Sequence, residues 1–191
     1  GLSLQLKYDS AAVEFRAAVD LYPENSTYHL HYANNESTLA HYGQAIRHYE
    51  IALGIDSLKR DNEERIATLI NNLGGVWFSN GEYDKAIGYY EKALTIGLKA
   101  LGENHPKVAT NYNNLGSVWN SNGEYDKAIG YHEQALQICL KTLGDQHQDV
   151  AVTYNNLGGA WTEKGEYDKA IGYFEQALQI FSKALGDQHP N

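Results

Sequence analysis

Histidine, cysteine and asparagine are the residues of this chain whose spacing invites chemistry. His105, His147 and His189 recur at intervals of 42 residues, a regularity of the kind that metal sites show. Ligands of one ion must converge on it, however, and here each imidazole stands a full interval from the next. The spacing therefore predicts helix-start residues in the connections between repeated units. His29, His31, His41 and His48 crowd the front of the chain, but their separations match no compact ligand set. Cys139 is the only cysteine, so no disulfide forms within the chain and the zinc patterns built on paired cysteines are excluded. With no His or Lys fixed beside it, Cys139 reads as a packing residue and not as a nucleophile. No catalytic constellation emerges, and the chain is read as a non-enzyme with no metal and no cofactor.

Asparagine is more informative. Asn71-Asn72, Asn113-Asn114 and Asn155-Asn156 also stand 42 residues apart, each pair inside a stretch with helical periodicity. An asparagine amide competes for backbone groups and disfavours helix interiors, so three such pairs call for a reason. On a helix they share a stripe with Thr68 and Gly75, or with Thr110 and Ser117. Two readings fit: the amides tie neighbouring helices together, or they form a ladder that hydrogen-bonds a partner's main chain.

The elements that position these residues are written in the repeat. GEYDKAIGY occupies residues 81–89, 123–131 and 165–173, and residues 86–127 and 128–169 agree at 26 of 42 positions. Ile66, Ile70, Leu73 and Trp77 recur at i, i+4, i+7 and i+11, as do Val108, Tyr112, Leu115 and Trp119, and Val150, Tyr154, Leu157 and Trp161; this is the apolar stripe of a helix. A glycine turn follows at Gly81, Gly123 and Gly165. Ala86, Tyr90, Ala93, Leu94 and Leu101 then mark a second helix that Gly102 stops. Neither helix buries its stripe alone, so pairs must stack, and Gly74, Gly116 and Gly158 with Ala86 and Ala93 let backbones approach closely. Gly88, Gly130 and Gly172 lie inside the second helix on its outer side, at a cost of about 1 kcal/mol each relative to Ala; the sequence gives no physical reason for them. His132 takes the place of Tyr90 and Phe174, which predicts a hydrogen-bonded core histidine.

Composition bounds the partners. At 191 residues, 42% hydrophobic and 20% charged, the chain is an ordinary globular one. No run approaches the roughly 18 apolar residues of a membrane span, and the start lacks a signal-peptide pattern, so a cytoplasmic protein without membrane contact is expected. A net charge of −9 argues against nucleic acid, whose backbone is held by clustered Lys and Arg. The absence of methionine and the ending LGDQHPN predict a piece of a longer protein.

Leu73-Gly74-x-x-Trp77, Ala86-x-x-x-Tyr90 and Ala93 resemble the tetratricopeptide repeat. Ala11-x-x-x-Phe15, Ala18 and Pro23 look like the second helix and closing proline of an ordinary unit, with 34 residues from Ala11 to Ala45 and then steps of 41, 42 and 42. In the longer units Leu98, Leu140 and Ser182 replace the proline, so the second helix is expected to run about two turns further; this long form is similar to kinesin light chain arrays. The resemblance implies an all-α fold, a right-handed superhelix (α-solenoid) of antiparallel helix pairs. Residues 1–25 would be a partial repeat, and 26–61, 62–103, 104–145 and 146–191 repeats 1 to 4, the last with a C-terminal stub. It implies a protein-interaction scaffold that takes a peptide or helix of a protein partner in its concave groove, on Thr68, Asn71, Asn72, Gly75, Thr110, Asn113, Asn114, Ser117, Asn155 and Asn156. Capture of a carboxyl terminus is not expected, because Thr68, Asn72, Thr110, Asn114, Val152 and Asn156 stand where that mode needs Lys and Arg. A competing reading is an array that self-associates end to end into a dimer or filament through Ile171, Leu178, Phe181 and Leu185 of an uncovered last helix. A third is a regulatory fragment of a larger enzyme or signalling protein.

Overall fold

The computed structural model describes residues 2–59 and 62–186, with side chains over 7–59 and 62–184. His189 and the side chain of Leu185 lie outside the described residues. All regular structure among the described residues is helical. The chain divides into two compact units, Gly1–Ile96 and Gly97–Asn191.

The first unit holds α1 (Leu2–Leu21), α2 (Ser26–Thr38), α3 (Tyr42–Ser57), α4 (Glu63–Ser79) and α5 (Tyr83–Leu101) as far as Ile96. α2 packs on α1 and α3, and α3 on α4. Ala33, Ala45, Tyr49, Ala52, Leu69, Leu73 and Val76 form one buried cluster, with Leu30, Ile46 and Tyr89 against it. The second unit holds the end of α5, then α6 (Pro106–Ser121), α7 (Tyr125–Leu143), α8 (Gln148–Glu163) and α9 (Tyr167–Gly186). Consecutive helices α6 to α9 pack as antiparallel neighbours, and α6 also touches α8. Ala128, Ile129, Leu157 and Ala160 form its buried cluster, flanked by Trp119, Leu136, Tyr154 and Trp161.

The repeated nonapeptide builds the turn of each pair. Gly81 stands at φ +79°, its N–H bonds the Phe78 carbonyl at 3.0 Å and the Glu82 N–H bonds the Trp77 carbonyl at 2.9 Å. These are the two bonds of a Schellman ending, which requires a left-handed residue between them. Gly123 and Gly165 repeat the arrangement. Ala40 meets the same demand in the first pair with φ +60°, and its neighbours make the same bonds, His41 N–H to Glu36 and Ala40 N–H to Ser37. Lys85, Lys127 and Lys169 then lie 4.2, 4.0 and 4.2 Å from the ring centres of Trp77, Trp119 and Trp161, so the repeated lysine covers the repeated tryptophan.

The small residues of the first helices have a specific occupant. A Cβ at Gly74 would meet the Tyr90 ring at 2.7 Å, one at Gly116 the His132 ring at 2.5 Å, and one at Gly158 the Phe174 ring at 2.6 Å. Each glycine is thus the seat of a ring from the following helix. Gly88, Gly130 and Gly172 meet nothing within 4 Å, and the structure supplies no packing reason for them. α5 runs eight residues past Ala93, against three past Ala18 in α1. The extension is about one and a half turns and not two, because Gly102 at φ +83° ends the helix and the remaining insertion forms the connection to α6.

Candidate functional site

The connections position the first helices through histidine. His105 Nδ1 accepts the Lys107 N–H and His147 Nδ1 accepts the Asp149 N–H, both at 3.1 Å, so these imidazoles are N-caps, with Pro106 preset for the first turn of α6. The front histidines separate into three places. His29 and His48 face each other with Nδ1 atoms 2.8 Å apart, His29 Nε2 donates to the Pro23 carbonyl at 3.0 Å, His31 stacks on Phe15, and His41 bonds Glu36. Because His29 donates through Nε2, its Nδ1 accepts the proton of His48. Burial, then the neighbouring His29 and Arg47, push His48 down to about 4. Among the described residues no three His, Cys, Asp or Glu side chains gather as metal ligands. Cys139 is buried, and burial with the Asp149 charge pushes its thiol up.

The asparagines divide by environment. Asn113 Nδ2 donates to Thr153 Oγ1 at 2.8 Å, Thr153 donates onward to the Asp149 carbonyl at 2.8 Å, and Asn113 Oδ1 faces His132 Nδ1 at 2.9 Å. That chain of bonds leaves Asn113 Oδ1 as an acceptor, so His132 carries its proton on Nδ1. Both ends of the Asn113 amide therefore tie α6 to α7 and α8. His132 is a buried, hydrogen-bonded core histidine as its position predicted, and burial pushes it down to about 4. Asn72 bonds the hydroxyl of Tyr49, a group that burial pushes up to about 12. Asn71 and Asn114 are half-buried, Asn156 is half-buried and Asn155 is exposed.

The hydroxyls of the same stripe are oriented by their own helices. Thr68 donates to the Glu64 carbonyl at 3.0 Å, Thr110 to Pro106 at 3.2 Å and Ser117 to Asn113 at 3.0 Å. Their lone pairs are left to accept from outside. Thr68, Asn71, Asn72 and Gly75 lie on α4 in the first unit; in the second, α6 carries Thr110, Asn113, Asn114 and Ser117 beside α8 with Asn155 and Asn156. Ile171 and Leu178 are exposed on α9, and Phe181 is half-buried.

One buried group escaped the sequence reading. Asp56 is 1% exposed at the end of α3, where Ser26 Oγ donates to it at 2.6 Å, Arg65 Nε pairs with it and Lys59 Nζ lies 3.4 Å away. Burial alone would raise its carboxyl; the bonds from Ser26, Arg65 and Lys59 outweigh that and hold it below its ordinary value. The available signal was position, since Asp56 continues the apolar stripe of Ala45, Tyr49 and Ala52.

The family model of the tetratricopeptide repeat matches residues 65–118 and 113–183. The chain belongs to the tetratricopeptide repeat family. No curated protein matches it. Among solved structures, this tetratricopeptide chain is similar to BtubC (BKLC) from P. vanneervenii, with 28% identity over 99% of this chain and 78% of that one and a TM-score of 0.82. It is also similar in fold to a Podosopora anserina putative kinesin light chain with nearly identical TPR-like repeats, with 20% identity over 95% and 90% of the two chains and a TM-score of 0.79. Cut9 with Hcn1, an APC/C hetero-tetramer, matches at 22% identity over 91% of this chain and 30% of that one, with a TM-score of 0.67. The fold class expected from the repeat, all-α helix pairs of the superhelical repeat type, is thereby shown. Among the described residues no helix is long and apolar enough to cross a membrane.

Proposed function

We propose that the chain is a protein-interaction scaffold that holds an extended segment of a protein partner on the face of its first helices. The observation that carries this reading is the face of α6 and α8: Thr110, Val152 and Asn155 are exposed, Asn156 and Ser117 are half-buried, and none carries a charge. Hydroxyls whose protons are spent on their own helix accept from a partner's N–H, and an asparagine amide serves an N–H and a C=O together. The absence of Lys and Arg from these positions speaks for main-chain bonding and against capture of a carboxylate. The hetero-tetramer formed by a structural neighbour is in keeping with such a role.

The test begins with selection of binding peptides from a random displayed library on the wild-type protein. Asn156→Ala should then weaken the selected peptides several-fold, as one hydrogen bond of about 0.5–1.5 kcal/mol implies, with an unchanged melting temperature. Peptides that bind Asn156→Ala and Thr110→Ala as tightly as wild type would refute the groove reading.

A further inference from the structure

A cavity of about 460 Å³ opens between the end of α5, α6 and α7 in the second unit, within the size range of small-ligand sites. Buried Ile138 and half-buried Leu98 and Tyr112 form its apolar wall, and the carboxamides of Asn104, Gln134 and Gln137 with the Lys141 ammonium form its polar rim. Gln134, Gln137, Ile138 and Lys141 share one face of α7, at i, i+3, i+4 and i+7. The set recurs 42 residues on, as Leu140, Tyr154, Gln176, Gln179, Ile180 and Lys183, with Gln146 in place of Asn104. In that copy Lys183 Nζ donates to Gln146 Oε1 at 3.2 Å, so the ammonium already holds a carboxamide. Asn104 is one methylene shorter, and among the described residues Lys141 has no hydrogen-bond or ion-pair partner. Each set is carried by three consecutive helices and the connection between the first two, so the difference lies in one side chain.

We infer that this cavity binds a short uncharged peptide segment of a partner protein, in which an aliphatic residue stands next to a glutamine. The glutamine carboxamide takes the place on Lys141 that Gln146 fills on Lys183, and the aliphatic side chain lies on Leu98 and Ile138. The amides of Gln134 and Gln137 each donate and accept, so they serve the N–H and C=O groups of the segment's main chain. A carboxylate is the weaker occupant, because exposed Glu103 stands on the same rim and the chain carries a net charge of −9. Tyr112 is two residues from Thr110, about 200° around α6, so the cavity is separate from the proposed groove and does not rest on that reading.

The test titrates the intact protein with acetyl-Leu-Gln-amide and follows the side-chain amide signals of Gln134 and Gln137 by NMR. Saturable one-to-one binding at these two residues is expected, with acetyl-Leu-Glu-amide and acetyl-Leu-Leu-amide several-fold weaker. Asn104→Gln, at an exposed position, should leave the melting temperature unchanged and weaken binding several-fold, because its own carboxamide then reaches Lys141. The converse change, Gln146→Asn, should release Lys183 and open a second site, seen as saturable shifts of Gln176 and Gln179 and a stoichiometry of two. Absence of saturable shifts at Gln134 and Gln137, full affinity in Asn104→Gln, a single site in Gln146→Asn, or tighter binding of the glutamate peptide would each overturn the proposal.

Discussion

Gly116, His132, Asn113 and Thr153 act as one device, and each member has a distinct expected phenotype. Gly116→Ala puts a methyl group into the His132 ring, which should cost about 1–3 kcal/mol by overpacking in urea denaturation at neutral pH. Asn113→Ala should cost about 1–3 kcal/mol by orphaning buried partners, whereas Asn156→Ala should leave stability nearly unchanged; equal losses would show that both asparagines are ties. His132 also predicts an acid response. It is neutral when folded, near 4, and 6.5 when unfolded, so between these values the unfolded chain binds the extra proton and stability falls as pH drops. The full loss below pH 4 is about 3 kcal/mol. His132→Phe, the residue α9 uses in this place, should remove this part of the dependence that urea denaturation at pH 7, 5.5 and 4.5 measures and leave the part that His48, also lowered to about 4, contributes.

The helix pair is the next scale, and its turns differ in quality. Gly81, Gly123 and Gly165 take positive φ without strain, while Ala40 takes it with a Cβ. Relief of that strain, less the extra freedom glycine brings to the unfolded chain, predicts that Ala40→Gly stabilises by about 0.5–1 kcal/mol; a lowered melting temperature would contradict the Schellman reading of this turn. The junction of α2, α3 and α4 rests on Asp56 instead of on apolar contact alone. Asp56→Ala leaves Arg65 and Ser26 without their acceptor and should cost about 1.5–3 kcal/mol. The carboxyl sits below its ordinary value, so this contribution is present above the unfolded value of 3.8 and disappears as pH falls through the lower folded one.

Across the whole molecule, stability in a repeat protein is a sum of units and the interfaces with their neighbours. α7 and α9 carry nearly the same sequence, yet only α7 has its apolar side covered. Amide hydrogen exchange should therefore be slower in α7 than in α9, and equal protection would mean that the bare strip of α9 is already occupied in solution. The net charge of −9 adds repulsion between copies of the chain and long-range attraction for a basic partner. Affinity at the proposed groove should change little with salt, because Thr110, Ser117, Val152, Asn155 and Asn156 carry no charge.

The sequence by itself determined the helix pairs, their glycine turns and their stacking, because a 3.6-residue apolar stripe and a positive-φ turn are local requirements that one unit states in full. It also assigned His105 and His147 to helix starts, since a cap needs only its own next two residues. What it left open was the partner of each polar group. Whether an asparagine amide points to a neighbouring helix or to solvent depends on residues some 40 positions away, and only the tertiary structure brings Thr153 and His132 to Asn113 while leaving Asn155 exposed. Asp56 and Arg65 show the same limit: the apolar stripe marked the position as buried, but the hydroxyl and guanidinium that make a buried carboxylate tolerable come from two other helices. Periodicity fixes which face of a helix is inward; which group waits on the other side is decided by packing.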